Sequence, residues 1–403
     1  MRVVVLQLFI AYFYSSVSNF FNMRTITFFF LLTLWSCKKD PVTQVVQPDP
    51  TSLRALNPAI RIGSNLQHGG TNEDGVLAGA NQAKLAQIAQ QEYGIGQVLW
   101  FGNWGGWEQG NNFNFKQSNA VINWLKSKGM QAFGTYWFGN NLYWPQWFVD
   151  KTYSPAQMED LMHTVIDAQI LVNDNKSKVD YWHVVNEVFE NDGVYRNMKW
   201  NDMGWEEDAS GLTGIDNVNG QHPIFIRKAF EYLRTKTNAP LEIRDFAIEN
   251  QNPAYGWDKK HRAFFQLVKH LKNKNTPVDI VGIQGHLNIG NIGWMLLDNG
   301  VKNTVSKFKS LQVAVIVCEL DCSINQYSNP TEWSAAAAVQ QKQDIYNYVK
   351  QAIEGGATQI HTWGIRDEND KGWLTFGHPL LWDKNYQKKP AYDGLKQALM
   401  DTK

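Results

Sequence analysis

The stretch VDYWHVVNE, Val179 to Glu187, is an apolar and largely β-branched run that ends in a carboxamide followed by a carboxylate. Its composition predicts a buried strand. A Glu at the end of a strand is usually solvated or paired with a cation, so the meaning of Glu187 depends on its neighbours. Seven similar runs recur along the chain: AIRIGSNL, GQVLWFGN, MQAFGTYWF, LEIRDFAIEN, VDIVGIQGHL, VAVIVCELD and TQIHTWGI.

Longer segments of helical period lie between these runs, among them NAVINWLKSKG, FIRKAFEYLRTK and HRAFFQLVKHLKNK, and AYDGLKQALM follows the last run. Eight alternating strand and helix segments predict an α/β fold, a closed (β/α)8 TIM barrel that forms a single catalytic domain over residues 53–403. A doubly wound open sheet would carry a Gly-rich phosphate turn after its first strand, and the sequence has no such turn. In a barrel of this kind the active site lies at the carboxyl ends of the strands.

Two of the eight predicted strands end in a glutamate. Glu187 ends the fourth and Glu319 ends the seventh, and these strands face each other across a closed barrel. Two carboxyl groups that converge on one cleft are the minimum for glycoside hydrolysis, one as proton donor and one as nucleophile. A retaining mechanism requires the carboxyls to lie about 5–5.5 Å apart. An ion pair that holds either glutamate beneath the rim would contradict this assignment.

Other strand ends carry side chains suited to the same site. Asn186 could donate to a sugar 2-hydroxyl, and His286 could keep a nucleophile ionised while Asp321 orients that His. Two indoles follow the eighth strand, and such rings suit the apolar faces of sugars. Each residue also has a simpler interpretation, since a strand-end His is often a structural hydrogen bonder and a Trp is often core. The predicted sugar-site residues at these strand ends are Asn186, Gln284, His286, Trp363 and Trp373.

The motifs that carry these residues resemble those of glycoside hydrolase family 10, the retaining β-1,4-xylanases, over residues 58–398. WHVVNE is similar to that family's Trp-Asp-Val-Val-Asn-Glu, GIQGHL to its Gly-x-Gln-x-His-Leu, and VIVCELD to its nucleophile strand. TWGIRDENDKGWL and PLLWDKNYQKKPAYDGL are similar to its closing segment. The resemblance implies that Glu187 is the acid/base and Glu319 the nucleophile.

The chain departs from the family pattern on the side expected to bind the non-reducing sugars. After the third strand, Thr135, Gly139 and Asn140 stand where the family has His, Trp and His, and His183 replaces an Asp. After the second strand only Asn103 remains of the family's Glu-Asn-x-Met-Lys, and the fifth strand reads RDFAIEN. Asn103, Asn140 and Trp137 are expected to contribute to the site in this altered form. New aromatics could rebuild the subsite: Trp104, Trp107, Trp137 and Trp144.

The predicted activity is therefore a retaining cleavage of β-1,4-xylosidic bonds in xylan, or in an oligosaccharide derived from it. Two alternatives stay open. One is a related retaining β-glycosidase for a differently linked or substituted glycan, which the rewritten loops favour. The other is a surface glycan-binding lipoprotein with reduced catalysis. No metal or organic cofactor is required by any of the three.

The bulk composition limits the possible partners. The chain of 403 residues has 38 basic and 38 acidic side chains, so nothing favours a nucleic-acid partner. The 17 Trp exceed what a core needs, and several fall in loop-like segments. Cys318 and Cys322 flank Glu319; without a His or further Cys nearby they indicate two inert thiols or a disulfide rather than zinc.

The amino-terminal residues predict a processing signal rather than part of the fold. From Met23 the chain has a basic residue, an apolar run that is too short to span a bilayer, and then Ser-Cys. Cys37 resembles the lipidated cysteine of a bacterial lipoprotein, although a cleaved signal or a membrane anchor would fit as well, and residues 1–22 resemble an upstream extension. We expect a signal over residues 1–36, a polar tether over residues 37–52, and display at the outer membrane.

Overall fold

The computed structural model describes residues 48–69, 74–100, 106–249, 258–324, 333–367 and 377–403, without the side chains of residues 136 and 137. All of them belong to one compact unit, Thr43–Lys403. The predicted signal and most of the tether lie outside the described residues. Packed structure begins slightly earlier than expected, because Ser52 is 3% exposed and its N–H donates to the carbonyl of Asp49 (2.8 Å).

Eight parallel strands form the centre of the molecule. They are β1 (Arg61–Asn65), β2 (Ile95–Val98), β3 (Gln131–Gly139), β4 (Tyr181–Asn186), β5 (Leu241–Phe246), β6 (Ile280–Gln284), β7 (Ala314–Ser323) and β8 (Gln359–Thr362). Each strand pairs with its neighbours in chain order, β8 pairs with β1, and a β6–β7 pairing leaves no open edge. The sheet is therefore closed, and the predicted (β/α)8 barrel is confirmed.

Within the described residues, eight helices of ten or more residues follow the strands. They are α1 (Gln82–Glu92), α2 (Lys116–Ser127), α3 (Pro155–Leu171), α4 (Ile224–Lys236), α5 (Asp258–Asn273), α6 (Gly300–Lys309), α7 (Ala335–Gly355) and α8 (Pro390–Asp401). Short helices lie at Leu53–Leu56, Asn141–Tyr143, Gln146–Val149, Val172–Asp174, Asn175–Lys178, Lys199–Met203, Gly214–Asp216, Gly293–Leu296 and Leu297–Asn299. Short strands lie at Trp107–Glu108, Asn112–Phe113, Trp205–Glu207, Gln221–Pro223 and His286–Asn288. Among the helices described here, none has both the length and the apolar character that a bilayer crossing needs.

Local sequence explains where the longer helices begin and end. Ser154 and Gln157 form a reciprocal capping box at the start of α3, and proline occupies the first turn. Ser334 caps α7 by accepting from the N–H of Ala337 (3.1 Å). Gly356 ends the same helix in the left-handed conformation, with φ of 99°.

The interior of the barrel contains both apolar and polar side chains. Six buried side chains from five different strands form one cluster: Ile95, Phe133, Tyr181, Ile280, Ile316 and Cys318. Buried polar side chains lie beside this cluster, since His361 meets the Phe133 ring edge to face at 5.7 Å and Arg244 Cζ lies 5.6 Å from the centroid of the same ring. Branched apolar side chains usually dominate such interiors, so buried charge here is unusual. Through Arg244 this buried charge reaches Glu319 on β7.

Bulges near the strand ends redirect the side chains at the rim. The β7–β8 register shifts between Val317 and Leu320, where three steps on β7 oppose two on β8, so Glu319 falls within the irregularity. Similar shifts occur between β3 and β4 and between β4 and β5. Such bulges are common beside active sites because the extra residue changes the direction of a side chain.

Candidate active site

Glu187 follows β4 directly and adopts a backbone conformation that is rare for its residue type. Its φ is +50°, and its N–H donates to the carbonyl of Arg244 on β5 (3.1 Å). On the other side, Gly139 at the end of β3 pairs with Asn186 so closely that a Cβ there would lie 2.1 Å from the Asn186 carbonyl oxygen. Any side chain at position 139 would therefore push β3 away from the backbone that leads into Glu187.

Glu187 is a partly exposed residue, and two side chains among the described residues donate hydrogen bonds to its carboxyl group. Gln284 donates from Nε2 to Glu187 Oε1 (3.1 Å), and the Tyr143 hydroxyl donates to Oε2 (3.4 Å). Burial raises the pKa of Glu187, as do the charges of Glu319 and then Asp245, while the Gln284 hydrogen bond lowers it less. Because the charge of Glu319 contributes to this shift, the two carboxyl groups interact electrostatically. A raised pKa suits a proton donor.

Glu319 has a different environment. Its side chain is 3% exposed, and each of its oxygens has its own cationic partner. Arg244 donates from Nη1 to Oε1 (2.9 Å), and His286 donates from Nε2 to Oε2 (3.2 Å). The structure thus places Glu319 in a buried ion pair with Arg244, the arrangement that the sequence analysis gave as contradicting its assignment. Its other oxygen contacts His286, and the role of Glu319 as nucleophile stays a prediction.

His286 connects Glu319 to Asp321. It donates from Nδ1 to Asp321 Oδ2 (2.9 Å), while its Nε2 faces Glu319. Burial opposes a charge on His286, but the carboxylates of Asp321 and Glu319 outweigh that effect and raise its pKa to about 10. The imidazole is therefore protonated at neutral pH and donates from both nitrogens. The contact that the sequence suggested among these three residues is present, and their catalytic roles stay a prediction.

Asn186 and Gln284 form a connected pair beneath Glu187. Gln284 Nε2 donates to Asn186 Oδ1 (3.1 Å) as well as to Glu187, and both side chains are buried. Asn186 Nδ2 has no partner among the described residues, and neither has Gln284 Oε1. A buried donor without a partner costs free energy unless a ligand or water satisfies it. Asn186 Nδ2 is therefore able to donate the hydrogen bond to a sugar hydroxyl that the sequence predicted. The Nε2 group of Gln284 instead donates to Glu187 and Asn186.

The remaining predicted residues are placed unevenly. Trp363 directly follows β8, is partly exposed, and lies edge to face with His286 at 6.3 Å between ring centroids. The side-chain oxygen of Asn140 has a structural partner. Oδ1 accepts from the Leu142 N–H (3.0 Å) and so caps the short helix Asn141–Tyr143. Four predicted residues have side chains outside the described part of the structure: Trp373, Asn103, Trp137 and Cys37.

Two of the new aromatics are core residues rather than sugar platforms, so that prediction was wrong for them. Trp107 is 1% exposed and Trp144 is 3% exposed. Their rings meet edge to face at 5.9 Å, and both pack against Phe148. Trp104, like Trp137, has a side chain outside the described part. The two thiols are free and buried, so the disulfide alternative for Cys318 and Cys322 is excluded.

The sequence analysis missed two residues that contact the predicted catalytic glutamates. Arg244 lies in the interior of β5, where it reads as part of an ordinary strand. Tyr143 lies in the loop after β3, and the charges of Glu187 and Glu319 help burial to raise its pKa. The sequence did contain features that point to both residues. An Arg in a buried strand needs a charged or polar partner. Tyr143 lies in the segment where the chain departs from the family motif.

One group of possible metal ligands lies in another part of the described chain, in the hairpin after β4 and on α5: Asp208, His222 and His270. His222 contacts Asp208 through Nε2 (2.9 Å) and Tyr195 through Nδ1. His270 accepts a backbone N–H at Nδ1 (2.9 Å) and contacts Glu206 through Nε2 (3.1 Å). All four ring nitrogens have protein partners, so the cluster forms a complete hydrogen-bond network that joins the hairpin to α5.

Comparison with known proteins agrees with this geometry. The sequence profile described as "Glycosyl hydrolase family 10" matches residues 63–398, which is most of the chain. The chain belongs to glycosyl hydrolase family 10. Glu187, which follows β4, and Glu319, which lies on β7, belong to the motifs from which the family resemblance was drawn.

Several known proteins resemble this chain. It is 30% identical over 298 residues to "Endo-1,4-beta-xylanase A" of Thermoanaerobacterium saccharolyticum, covering 70% of this chain and 22% of that protein. It is also 30% identical to "Exoglucanase XynX" of Acetivibrio thermocellus, covering 24% of that protein. The chain thus spans less than a quarter of these relatives. Native xylanase 10B from Thermotoga maritima has the same fold, with a TM-score of 0.67, 23% identity, and coverage of 87% of this chain and 98% of that one.

Proposed function

We propose that this protein is a retaining glycoside hydrolase that cleaves β-1,4-xylosidic bonds in xylan. The observation that carries the proposal is the contrast between two carboxyls that influence one another. Glu187 is a partly exposed residue whose carboxyl group has a raised pKa, whereas Glu319 faces two cationic donors. A pair of carboxyls whose environments differ in this way is typical of an acid and a nucleophile.

The proposed reaction has two steps. Glu187 protonates the glycosidic oxygen while Glu319 attacks C1, which breaks the glycosidic bond and forms a glycosyl ester on Glu319. Glu187, now a carboxylate, takes a proton from water, and the resulting attack on C1 breaks the ester and regenerates both side chains. Asn186 Nδ2 donates to the 2-hydroxyl of the sugar at the cleaved bond, an interaction that strengthens as positive charge develops at C1.

The choice of xylan is supported by the relatives. Most of those compared are described as endo-1,4-beta-xylanases, and another family member was crystallised in complex with xylopentaose. One relative is described as an exoglucanase, which keeps a glucose-based substrate open. Two residues that depart from the family pattern favour the alternative of another glycan. Asn140, which stands in place of a family His, caps a helix. His183, which stands in place of a family Asp, is buried, and burial followed by the charge of Arg244 lowers its pKa.

The alternative of a glycan-binding protein with reduced catalysis also has an observation in its favour. The ion pair between Arg244 and Glu319 engages an oxygen of the proposed nucleophile (2.9 Å). Binding without turnover would follow if that contact prevented Glu319 from reaching C1. The two candidates differ in a measurable way, because only the hydrolase releases reducing ends.

The test is product analysis with three proteins: the wild type, Glu187→Gln and Glu319→Gln. Each is incubated with xylooligosaccharides, cellooligosaccharides and arabinoxylan, and product anomers are followed by NMR. We expect the wild type to release β-anomers from xylooligosaccharides first. Glu187→Gln should slow this by about 100-fold or more, the range for a lost general acid, and Glu319→Gln should abolish it. Initial α-anomers, or full activity in either variant, would refute the proposal.

Calorimetry with the same oligosaccharides separates the remaining candidates. Tight binding by the wild type without any product would favour the glycan-binding alternative. Faster cleavage of cellooligosaccharides than of xylooligosaccharides would favour the glycosidase for another glycan. Both Gln variants are suitable binding controls because they keep the size and polarity of the site.

We also propose, from the sequence alone, that Cys37 is lipidated and that residues 38–52 tether the barrel to the cell envelope. The support is the basic and apolar run before Cys37 and the polar, proline-bearing stretch after it. Labelling of expressing cells with radioactive palmitate tests this. Wild-type protein should carry label and Cys37→Ser should not, and equal labelling of the two would refute lipidation at Cys37.

A further inference from the structure

Arg244 is held in a fixed orientation inside the barrel. Its guanidinium is completely buried and binds Glu242, two residues earlier on the same strand, through Nε (2.9 Å) and Nη2. These contacts leave Nη1 for Glu319 Oε1 (2.9 Å). The planar fork of an Arg can bind two carboxylates at once in this way, whereas a Lys ammonium has no fixed fork.

The neighbouring strand makes room for this pair. A Cβ on Gly282 of β6 would lie 2.0 Å from Glu242 Oε1 and 2.8 Å from Arg244 Cβ. The absence of a side chain at this position is therefore what lets a carboxylate lie between β5 and β6. Phe133 lies on another side of the guanidinium, with its ring centroid 5.6 Å from the Arg244 Cζ. The packing determines where Nη1 points.

The carboxylate of Glu319 is consequently held at both oxygens. Arg244 binds one oxygen from within the barrel, and His286 binds the other. Two donors restrict rotation of the carboxyl group about its side-chain bonds. This restriction favours a nucleophile, since an oriented carboxyl group is closer to the attacking geometry.

We propose that Arg244 is a positioning residue that, anchored by Glu242, holds the carboxyl group of the nucleophile Glu319 in a fixed orientation from within the barrel. This inference rests on the proposed function. Arg244 acts through Glu319 and does not touch the substrate itself. The strands that meet here bring other titratable groups toward Glu319: Glu242 on β5, Glu187 after β4, Tyr143 after β3, His286 after β6 and Cys318 on β7.

The test uses two variants that differ only in the guanidinium. Glu242→Gln keeps Arg244 and its bond to Glu319, while the double variant Glu242→Gln/Arg244→Gln removes the charge from both members of the buried pair. The double change avoids leaving an unpaired Glu242, which could prevent folding. Arg244→Lys, with Glu242 intact, tests rescue by charge alone. For each protein, kcat/KM for an aryl β-xylobioside is measured across pH.

If Arg244 orients Glu319, the double variant should lose more kcat/KM than Glu242→Gln does. We expect kcat/KM of the double variant to fall at least about tenfold further than that of Glu242→Gln, because the nucleophile is then misplaced. Arg244→Lys should recover only part of this activity, because a Lys ammonium has no fixed fork. Loss of kcat with KM nearly unchanged is expected, because the substrate contacts remain.

A purely structural role would give another pattern. If Glu242→Gln and the double variant lose activity equally and evenly across pH, the guanidinium does not act on Glu319 and the inference is overturned. Higher kcat in the double variant than in Glu242→Gln would overturn it in the opposite sense, by showing that Arg244 restrains the nucleophile. If the wild type releases no aglycone at any pH, the proposed function fails and the role of Arg244 fails with it.

Discussion

At the scale of single residues, the site depends on a Glu held in an unfavourable backbone conformation. A non-glycine residue in the left-handed region costs about 1–3 kcal/mol and persists only where its surroundings enforce it. At Glu187, whose φ is +50°, the surroundings are the backbone hydrogen bond to Arg244 and the close approach of Gly139. The strain is consistent with a carboxyl that must leave the strand direction to reach the cleft.

Gln284 offers a test of how the protonation of Glu187 is controlled. Gln284→Met removes the donor to Glu187 Oε1 while keeping a side chain of similar length. Because that hydrogen bond lowers the pKa of Glu187, its loss should raise the pKa further. A general acid then stays protonated to higher pH, so the alkaline limb of kcat/KM should move to higher pH. The value of kcat/KM at the pH optimum should fall about tenfold, which is equivalent to about 1.4 kcal/mol for one hydrogen bond to a charged group.

The measurement for Gln284→Met is kcat/KM against pH on an aryl β-xylobioside. A shift of the alkaline limb toward lower pH would contradict the assignment of Glu187 as the acid. Asn186 also loses a contact in this variant, so Asn186→Ala is the matched comparison. The Asn186→Ala variant should have a lower kcat/KM at its pH optimum, and its alkaline limb should not move to higher pH.

At the scale of the elements, the last two helices are joined by a close contact. Gly394 on α8 faces α7 so tightly that a Cβ would lie 2.3 Å from the carbonyl oxygen of Lys342. Here backbone meets backbone, so neither partner can turn aside as a flexible side chain could. The two helices can pack at this distance only with glycine at that position.

Gly394→Ala should therefore destabilise the protein although alanine is the better helix former. We expect a loss of about 1–3 kcal/mol in the free energy of unfolding, the usual range for overpacking, which exceeds the ~1 kcal/mol gained from helix propensity. Gly293→Ala is the control, because its Cβ would meet nothing within 4 Å. Denaturant unfolding measures both. A stabilised Gly394→Ala would contradict the account of this helix pair.

The elements also show which parts of the structure the sequence could predict. The eight strands were visible because each is a short apolar run bounded by polar or glycine residues. The group of Glu319, His286 and Asp321 was predictable because all three lie at ends of adjacent strands. Trp107 and Trp144 misled because loop-like segments usually lie at the surface, whereas these loops fold into an aromatic cluster of their own.

At the scale of the whole molecule, the barrel interior is charged where most barrels are apolar. This could not be read from the sequence, since it depends on which way each strand faces. Glu242 and Arg244 point inward together, and the space for them comes from Gly282 on another strand. Only the closed barrel shows that these separate positions form one buried group that contacts Glu319.

His361 in that interior gives a pH-dependent prediction. It is completely buried, it contacts Gln359 (2.9 Å), and burial followed by the charge of Arg244 lowers its pKa to about 3. In the unfolded chain a His binds a proton near pH 6.5. Between these values the unfolded state binds more protons, so this His makes the protein less stable as pH falls from about 6.5 to about 3.

His361→Gln removes that titration. Its unfolding free energy at pH 7 should be lower than that of the wild type because one buried contact changes. On acidification the wild type should lose its advantage by about 1.4 kcal/mol per pH unit. Guanidinium unfolding of both proteins at pH 7, 6, 5 and 4 measures the difference. A difference that stays constant over this range would show that His361 is not held neutral by the fold.

The central claim is that Glu319 attacks the anomeric carbon, and the most direct measurement is to trap the ester. The wild type is incubated with a 2-deoxy-2-fluoro-β-xylobioside that carries a good leaving group, digested with a protease and analysed by mass spectrometry. The account predicts one fluoroglycosyl adduct, on the peptide that contains Glu319, and no adduct in Glu319→Gln. An adduct on another residue, or inactivation that persists in Glu319→Gln, would contradict it.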